Sequence, residues 1–437
     1  MKMYDAIVVG ARCAGASTAM LLARQGHSVL LVDRSTFPSD IPHGHFIHHG
    51  GTGVLQRWGL LDDVIATGAP PITTMSTEWH GVRLTGENVA VNGVPLGIAP
   101  RRTALDALLV DAAVDAGAEL RTSFTVEDFI TDGNDRVTGI TGHERGSTRP
   151  VSEQARMTIG ADGRYSGLAR FVDALAGNAC PTLTCFYFSY WSGIPDQGIR
   201  VVDLGDKAIF VAPTNDRLHM VFVTWPIDQA PSVRADIEGR FMSAIDESPD
   251  LAGIIRNGRR EEPFRGAVDL PNFMRTPQGD GWALVGDAGC HKDPYMALGC
   301  GDAFRDAELL ADAIHRGLSG EQPLSDALAE YERRRNEATL ADYRQNLHMA
   351  QFRGLPPEQR ALRAAIQGDA EAIRDMYLAL ELLTPPERFF NPDNLQKLLS
   401  GGPASWTLVP KPSRQPRFAP GSGIHGKRRL KSPRPAA

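Results

Sequence analysis

The sequence predicts an α/β fold with an α+β insertion: a parallel βαβ start, an inserted antiparallel sheet and closing helices. Three observations carry that reading. The stretch AIVVGARCAGASTAMLLARQGHSVLLVD, Ala6 to Asp33, passes from an apolar strand through a glycine turn and a small-residue helix into a second apolar strand. From about Leu183 to Pro226 the text changes to alternating aromatic-rich runs, TCFYFSYWSGIP and RLHMVFVTWP, with turn signals between them. From Asp302 to Gly317 and from Ser325 to about Phe352, apolar residues recur at helical spacing.

Composition bounds the rest. A chain of 437 residues with 42% hydrophobic content can bury a core large enough for two or three domains. No run of about 18 apolar residues spans a bilayer, and the first strand begins almost at Met1, so no membrane span and no signal peptide are expected. The expected location is cytoplasmic. Five cysteines, Cys13, Cys180, Cys185, Cys290 and Cys300, show no CxxC spacing and read as free thiols. The formal charge of −6 hides an asymmetry, because Lys411 to Ala437 carries eight basic and no acidic residues.

Taken in order, the first strand covers Ala6 to Val9, the first helix about Ala14 to Gln25 before Gly26, and the second strand Ser28 to Val32. A loop-rich stretch, STFPSDIPHGHFIHHGG, leads to a helix near Gly53 to Trp58, and RRTALDALLVDAAVDAGAELR reads as another. A short strand touches Val126, and strand character returns in GWALVGDAG. The final KPSRQPRFAPGSGIHGKRRLKSPRPAA is too poor in apolar residues to order itself. It reads as a solvated basic tail, with no nucleic-acid partner expected.

The opening motif is a Rossmann-like dinucleotide fingerprint with a defect. In GxGxxG the first glycine makes the turn, the second admits the pyrophosphate and the third lets helix and strand pack. Gly10 and Gly15 fill the outer places, and Arg12 stands at the middle one. Its guanidinium either neutralises a phosphate or an adjacent carboxylate, or faces solvent. Asp33, 23 residues after Gly10, suits a ribose hydroxyl.

Two further motifs follow: TIGADGRYSGLAR, Thr158 to Arg170, and GWALVGDAGCHKDPYMALGCGDAFRDAELLADAI, Gly281 to Ile314. With the first, they resemble the FAD-dependent monooxygenases built on the para-hydroxybenzoate hydroxylase fold, which are related to geranylgeranyl reductase-like flavoproteins. The resemblance runs from Tyr4 to about Tyr343, in the family's order and spacing. It implies a Rossmann-like FAD-binding domain, an antiparallel-sheet substrate domain and C-terminal helices. It also implies an FAD site built from Gly10, Arg12, Cys13, Ala14, Gly15, Asp33 and Arg34 at the first turn, with Arg102 at the flavin side and Val126 at the adenine. Asp162 and Gly163 would stand near the pyrophosphate and a nicotinamide groove, and Asp287 would hold the ribityl chain. Pro294, Gly299, Cys300 and Gly301 belong to a loop against the flavin ring, followed by a helix from about Asp302 whose N-terminus would favour reduced flavin. Arg101 is as basic as Arg102 and competes for the same role.

The implied domain order is 1–75 FAD-binding, 76–100 substrate segment, 101–172 FAD-binding, 173–272 substrate sheet, 273–350 FAD-binding, 351–410 C-terminal helices and 411–437 tail. The implied activity is insertion of one oxygen atom, by way of a flavin 4a-hydroperoxide, into an apolar or aromatic small molecule. Electrons would come from NADH or NADPH, docking transiently, or from a separate flavin reductase; molecular oxygen is the co-substrate. The alternatives are a flavin reductase of prenyl double bonds, a flavin halogenase, or a non-catalytic flavoprotein that binds partners. A halogenase would show a family lysine near the ring and a WxWxIP stretch, of which YWSGIP, Tyr190 to Pro195, keeps the end.

Three departures from the family pattern stand out: Arg12 for glycine, Asp33 for the commoner glutamate, and Gly301 for asparagine. His43, His45, His48 and His49 cluster without a nearby carboxylate or thiol at ligand spacing, so no metal is expected. His291 beside the flavin loop and His45 are the acid–base candidates. Of the aromatic run Phe186 to Trp191, only one face of a strand can line a pocket.

Overall fold

The structure, a computed structural model, describes residues 2–41, 43–79, 81–87, 94–95, 97–380 and 384–400. The predicted tail lies outside these residues.

Five parallel strands form the backbone of the larger half. β1 (Met3–Val9) pairs with β2 (Val29–Val32) on one side and with strand Val151–Gly160 on the other. The same parallel order continues to Glu119–Arg121 beyond β2 and to Trp282–Leu284 beyond Val151–Gly160. All four residues of β2 are buried, which suits a central strand covered on both faces. An antiparallel ribbon, Phe124–Thr131 with Val137–Glu144, extends Val151–Gly160 to one side. The single strand expected at Val126 is the start of that ribbon.

α1 (Cys13–Arg24) crosses between β1 and β2 and packs against the 21-residue helix Gly299–Ser319. That second helix begins about one turn earlier than predicted, because Leu298 already accepts a bond from the Asp302 amide. Its preceding turn, Pro294–Met296, ends with Ala297 in the left-handed region at φ +53. Gly299, Cys300 and Gly301 are therefore helical rather than loop residues. Helix Leu324–Ala350 braces the strand end, with the Tyr331 hydroxyl donating to the Leu284 carbonyl at 2.7 Å.

The second half is a mostly antiparallel sheet in the order 259–260, 184–192, 219–226, 208–213, 199–203, 75–79, 82–86, with 265–267 also along 184–192. One pair, 199–203 with 75–79, is parallel. Alternation sorts the aromatic run into two cores. Cys185, Tyr187 and Trp191 pack under helices Ile237–Asp246 and Pro249–Ile255, where Trp191 stacks on Phe241 at 5.5 Å. Phe186, Phe188 and Tyr190 turn to the opposite face with Met220, Phe222 and Leu270. The C-terminal helices close the far edge: Tyr377 lies against Gly86, whose added Cβ would sit 2.5 Å from the ring, and donates to Leu84 O at 3.0 Å. A three-stranded sheet of Ala176–Cys180, Asn272–Arg275 and Cys290–His291 joins the halves and has no counterpart in the sequence reading.

Gly15 shows how tightly α1 seats on β1. A Cβ there would stand 1.7 Å from the Gly10 carbonyl oxygen. Gly15→Ala should therefore destabilise the protein by about 3 kcal/mol, the upper range for overpacking, as measured by urea denaturation.

Candidate functional site

Four parallel strands end at one edge, and the loops that leave them converge. Gly10 follows Val9, Asp33 follows Val32, Asp162 and Gly163 follow Gly160, and Asp287 follows Leu284 by three residues. Ligands bind at the carboxyl edge of such sheets because the turns there expose backbone amides and helix N-termini. A cavity of about 1030 Å³ opens at this edge and runs to the inner face of the antiparallel sheet.

Gly10, Arg12, Cys13, Ala14, Asp33, Arg34, Arg102, Val126, Asp162, Gly163, Asp287, Pro294, Gly299 and Cys300 all line it, as do His45 and His291. Gly15 and Gly301 do not. Gly15 is consumed by contact with Gly10, and Gly301 faces Gly51 across the helix pair. A direct ligand contact for these two is thereby corrected to a packing role: each lets two backbones approach.

The cavity wall suits a dinucleotide. Gly10 has φ +103 and an added Cβ would lie 2.5 Å from Ala161 O, so only glycine keeps the turn open. Among the described residues neither α1 nor the helix Gly299–Ser319 has a side-chain bond from its N-cap residue, and the first residues of both line the cavity. Uncapped buried N-termini are anion sites. Asp162 Oδ1 is buried without a hydrogen-bond partner among the described residues, while Oδ2 accepts the Gly167 amide at 2.7 Å. Asp33 departs from the ribose role alone, because Oδ2 accepts the Ala11 amide at 2.8 Å and Oδ1 the Ser35 amide at 2.7 Å. The shorter acid thus ties the second strand to the glycine turn.

Arg12 pairs with a carboxylate that the sequence reading did not single out. Its Nη1 is 2.7 Å from Asp106 Oδ2 and its Nη2 2.9 Å from Ser39 Oγ. Asp106 is fully buried and is also held by Arg102, through Nε at 3.1 Å and Nη2 at 2.8 Å to Oδ1. Two guanidiniums on one carboxylate leave one net positive charge beneath the anion-binding edge. The two neighbouring arginines separate: Arg101 turns away, 2.6 Å from Glu262 and stacked over Tyr190 at 4.3 Å. A helix repeat could have found Asp106, since it stands four residues after Arg102.

The histidine cluster disperses. His48 bonds Met296 O at 2.9 Å and His49 bonds Pro95 O at 3.2 Å. His45 Nε2 meets the Tyr190 hydroxyl at 3.0 Å, and burial, with Arg102 and Arg101 adding to it, pulls its pKa down to about 3. Its imidazole is neutral at pH 7 and serves as a hydrogen-bonding group rather than a proton store. His43 is likewise pulled down to about 4, chiefly by burial. His291 Nδ1 donates to the Pro271 carbonyl, which leaves Nε2 as an acceptor.

Two charged residues missed from sequence also line the cavity. Lys292 is ion-paired with Asp302 at 2.6 Å. Asp293 accepts from Thr184 Oγ1 at 2.8 Å and from the Tyr295 amide at 3.1 Å, yet burial outweighs both and pushes it up to about 6. The inner sheet face supplies the remaining wall: Phe186, Ile199, Phe210, Ala212, Met220, Phe222, Ala267 and Leu270.

With this geometry in place, the comparisons identify the class. Residues 3–178 match the FAD binding domain family. The chain is 28% identical over 411 residues to kynurenine 3-monooxygenase of Salinispora tropica, covering 84% of this chain and 83% of that protein. It is 24% identical over 343 residues to tryptophan 2-halogenase of Chondromyces crocatus, covering 75% of this chain and 64% of that protein's length. Among solved structures, the myxobacterial chondrochloren halogenase superposes with a TM-score of 0.73 at 22% identity, over 94% of this chain and 98% of that one. The fold and site define an FAD-dependent oxidoreductase. More particularly, residues 3–178 match the FAD binding domain family, and the chain as a whole is similar to FAD-dependent monooxygenases and halogenases, whose fold it shares.

Two outcomes check the electrostatics. Asp106→Ala should cost about 3–5 kcal/mol by leaving two arginines without their shared carboxylate, whereas Arg12→Gly should cost under about 2 kcal/mol because Arg102 still pairs Asp106; denaturant midpoints give both. Asp293 is protonated more readily folded than unfolded, so its stability contribution is complete below about pH 4 and is lost as pH rises through 6. Relative to Asp293→Asn, the natural protein should therefore lose about 2–3 kcal/mol between pH 4 and pH 8, read from unfolding curves across that range.

Proposed function

We propose that this protein is a monooxygenase that inserts one atom of molecular oxygen into an apolar or aromatic small molecule. The observation that carries the reading is the composition of the cavity's sheet wall, whose eight lining residues from Phe186 to Leu270 contain no charge. FAD, when bound, would supply the redox chemistry and the activation of oxygen. The chain's own tasks are then to bind, orient and exclude water.

The uncapped helix N-termini and the net positive charge of the Arg12–Asp106–Arg102 cluster would hold the pyrophosphate. Asp162 and Asp287 would accept hydrogen bonds from ligand hydroxyls along the same edge. Phe186, Phe210 and Phe222 would hold an aromatic substrate by edge and face contacts; Phe210 meets Phe222 edge-on at 5.6 Å. An apolar wall keeps water from the reacting centre, which limits loss of the oxidant as hydrogen peroxide. His45 and His291 would offer hydrogen bonds to a polar group on an otherwise apolar substrate. Electrons would come from NADH or NADPH, or from a separate flavin reductase. Five free cysteines fit a reducing, cytoplasmic setting.

The halogenase reading is the second one, since halogenases stand among the relatives. Two observations favour oxygenation over it. Lys292, the lysine lining the cavity among the described residues, is tied to Asp302. Trp191 of YWSGIP is buried on the sheet face away from the cavity.

The test is turnover with reduced nicotinamide under ¹⁸O₂ against a panel of neutral phenols and polyketide-like aromatics, with and without bromide. A product carrying one labelled oxygen supports the proposal. A brominated product, or hydrogen peroxide that no compound diverts, would overturn it. Phe222→Ser should raise peroxide formed per nicotinamide consumed by roughly two- to tenfold, because it admits water to the apolar wall.

A further inference from the structure

The turn Pro294–Met296, with the Ala297 that ends it, is held from two sides. From behind, Asn346 of the helix Leu324–Ala350 accepts the Met296 amide through Oδ1 at 3.0 Å and donates through Nδ2 to the Asp293 carbonyl at 2.8 Å. From the front, two bonds cross to the antiparallel sheet. Thr184 Oγ1 donates to Asp293 Oδ2 at 2.8 Å, and the Tyr295 hydroxyl donates to Asp203 Oδ2 at 2.7 Å. All four of these residues are buried. Pro294 and Ala297 line the cavity, and the left-handed backbone of Ala297 is a strained conformation that persists only where its surroundings hold it.

Tyr295 meets the sheet twice. Asp203 ends the strand Ile199–Asp203, and Phe210 stands in its antiparallel neighbour Ala208–Pro213. The Tyr295 ring lies edge-on to Phe210 at 5.7 Å, and Phe210 lies edge-on to Phe222. Phe210 and Phe222 line the cavity while Tyr295 does not, so Tyr295 stands behind the apolar wall and touches it from the rear. Burial and the Asp203 carboxylate both push the pKa of the hydroxyl up, which keeps it a hydrogen-bond donor at neutral pH.

We propose that Tyr295 is a positioning residue that sets the gap between the turn Pro294–Ala297 and the apolar sheet wall, the gap in which the flavin end of FAD and the substrate must meet. The cavity runs from the glycine turn to that wall, so a dinucleotide whose pyrophosphate lies at the parallel edge carries its other end toward Ala297 and Phe210. Through Asp203 and Phe210, Tyr295 ties the turn to both strands of one hairpin. Without the hydroxyl the turn keeps Asn346 and Thr184 but loses its bond to Asp203, and a spacing that has to hold to within about 0.5 Å is no longer fixed. The proposal rests on the reading that FAD occupies this cavity and not on the choice between oxygenation and halogenation.

The test loads the full-length natural protein and its variants with FAD and measures FAD affinity by titration, acrylamide quenching of the bound flavin's fluorescence, and the denaturant midpoint. Tyr295→Phe should raise the quenching constant roughly two- to fivefold while FAD affinity stays within about threefold, because the adenosine and pyrophosphate contacts lie at the other end of the cavity. Asp203→Asn should stay close to the natural protein, since a tyrosine hydroxyl can accept from the amide as well as donate to a carboxylate. Tyr377→Phe, which removes a buried hydroxyl at the far edge of the sheet, should lower the midpoint and leave quenching unchanged. Should Tyr295→Phe fail to fold, Asp203→Leu, which removes the acceptor, carries the same expectation. Unchanged quenching in the variant that removes the bond, an equal rise in Tyr377→Phe, or a rise in Asp203→Asn as large as in Tyr295→Phe would overturn the proposal. A natural protein that takes up no FAD would overturn the cofactor reading together with it.

Discussion

Everything at the site depends on one constraint: four parallel strands must end in register along a single edge. β1 pairs residue for residue with β2 from Ala6 to Val9, and with Met157 to Gly160 on its other side. Parallel pairing carries all the strands the same way, so each chain reversal begins at the same edge. Gly10, Asp33, Asp162 and Asp287 come together for that reason, although 277 residues separate the first from the last. A register slip of one strand would move its terminal acid away from the others and turn its side chains to the opposite face.

Charge at that edge is set by a buried arrangement rather than by surface residues. Asp106 is sealed from solvent, and a carboxylate so placed is tolerable only when it is paired and hydrogen-bonded. Arg102 satisfies it from within its own helix, and Arg12 reaches it from the glycine turn. The arginine that breaks the dinucleotide fingerprint thus has a structural use. It clamps the turn to the neighbouring helix while its excess charge stays beside the uncapped amides of α1.

The other wall of the cavity follows from strand alternation. A period of two divides the aromatic run into a set packed under helices and a set turned toward the parallel edge. The first builds the core that holds the sheet rigid, with Trp191, Trp225 and Phe241 in contact. The second makes a dry surface opposite the polar rim. A ligand in this cavity meets backbone amides and charges at one end and carbon at the other, a division suited to a dinucleotide beside an apolar substrate.

The sequence by itself determined what is local. The βαβ start, the strand-rich insertion, the long helices and the three glycine and acid motifs were all legible, because periodicity and turn chemistry act over a few residues. It also placed Gly10, Asp162 and Asp287 at strand ends. What it could not show is which side chains meet across the fold. The pairing of Arg12 with Asp106 spans 94 residues, and the choice between Arg101 and Arg102 turns on which way one helix faces. Likewise Gly15 reads as a ligand glycine in the fingerprint, but its space is filled by the Gly10 carbonyl. These were decided by tertiary structure, since burial, desolvation and pairing are properties of neighbours in space, and a linear pattern carries no record of them.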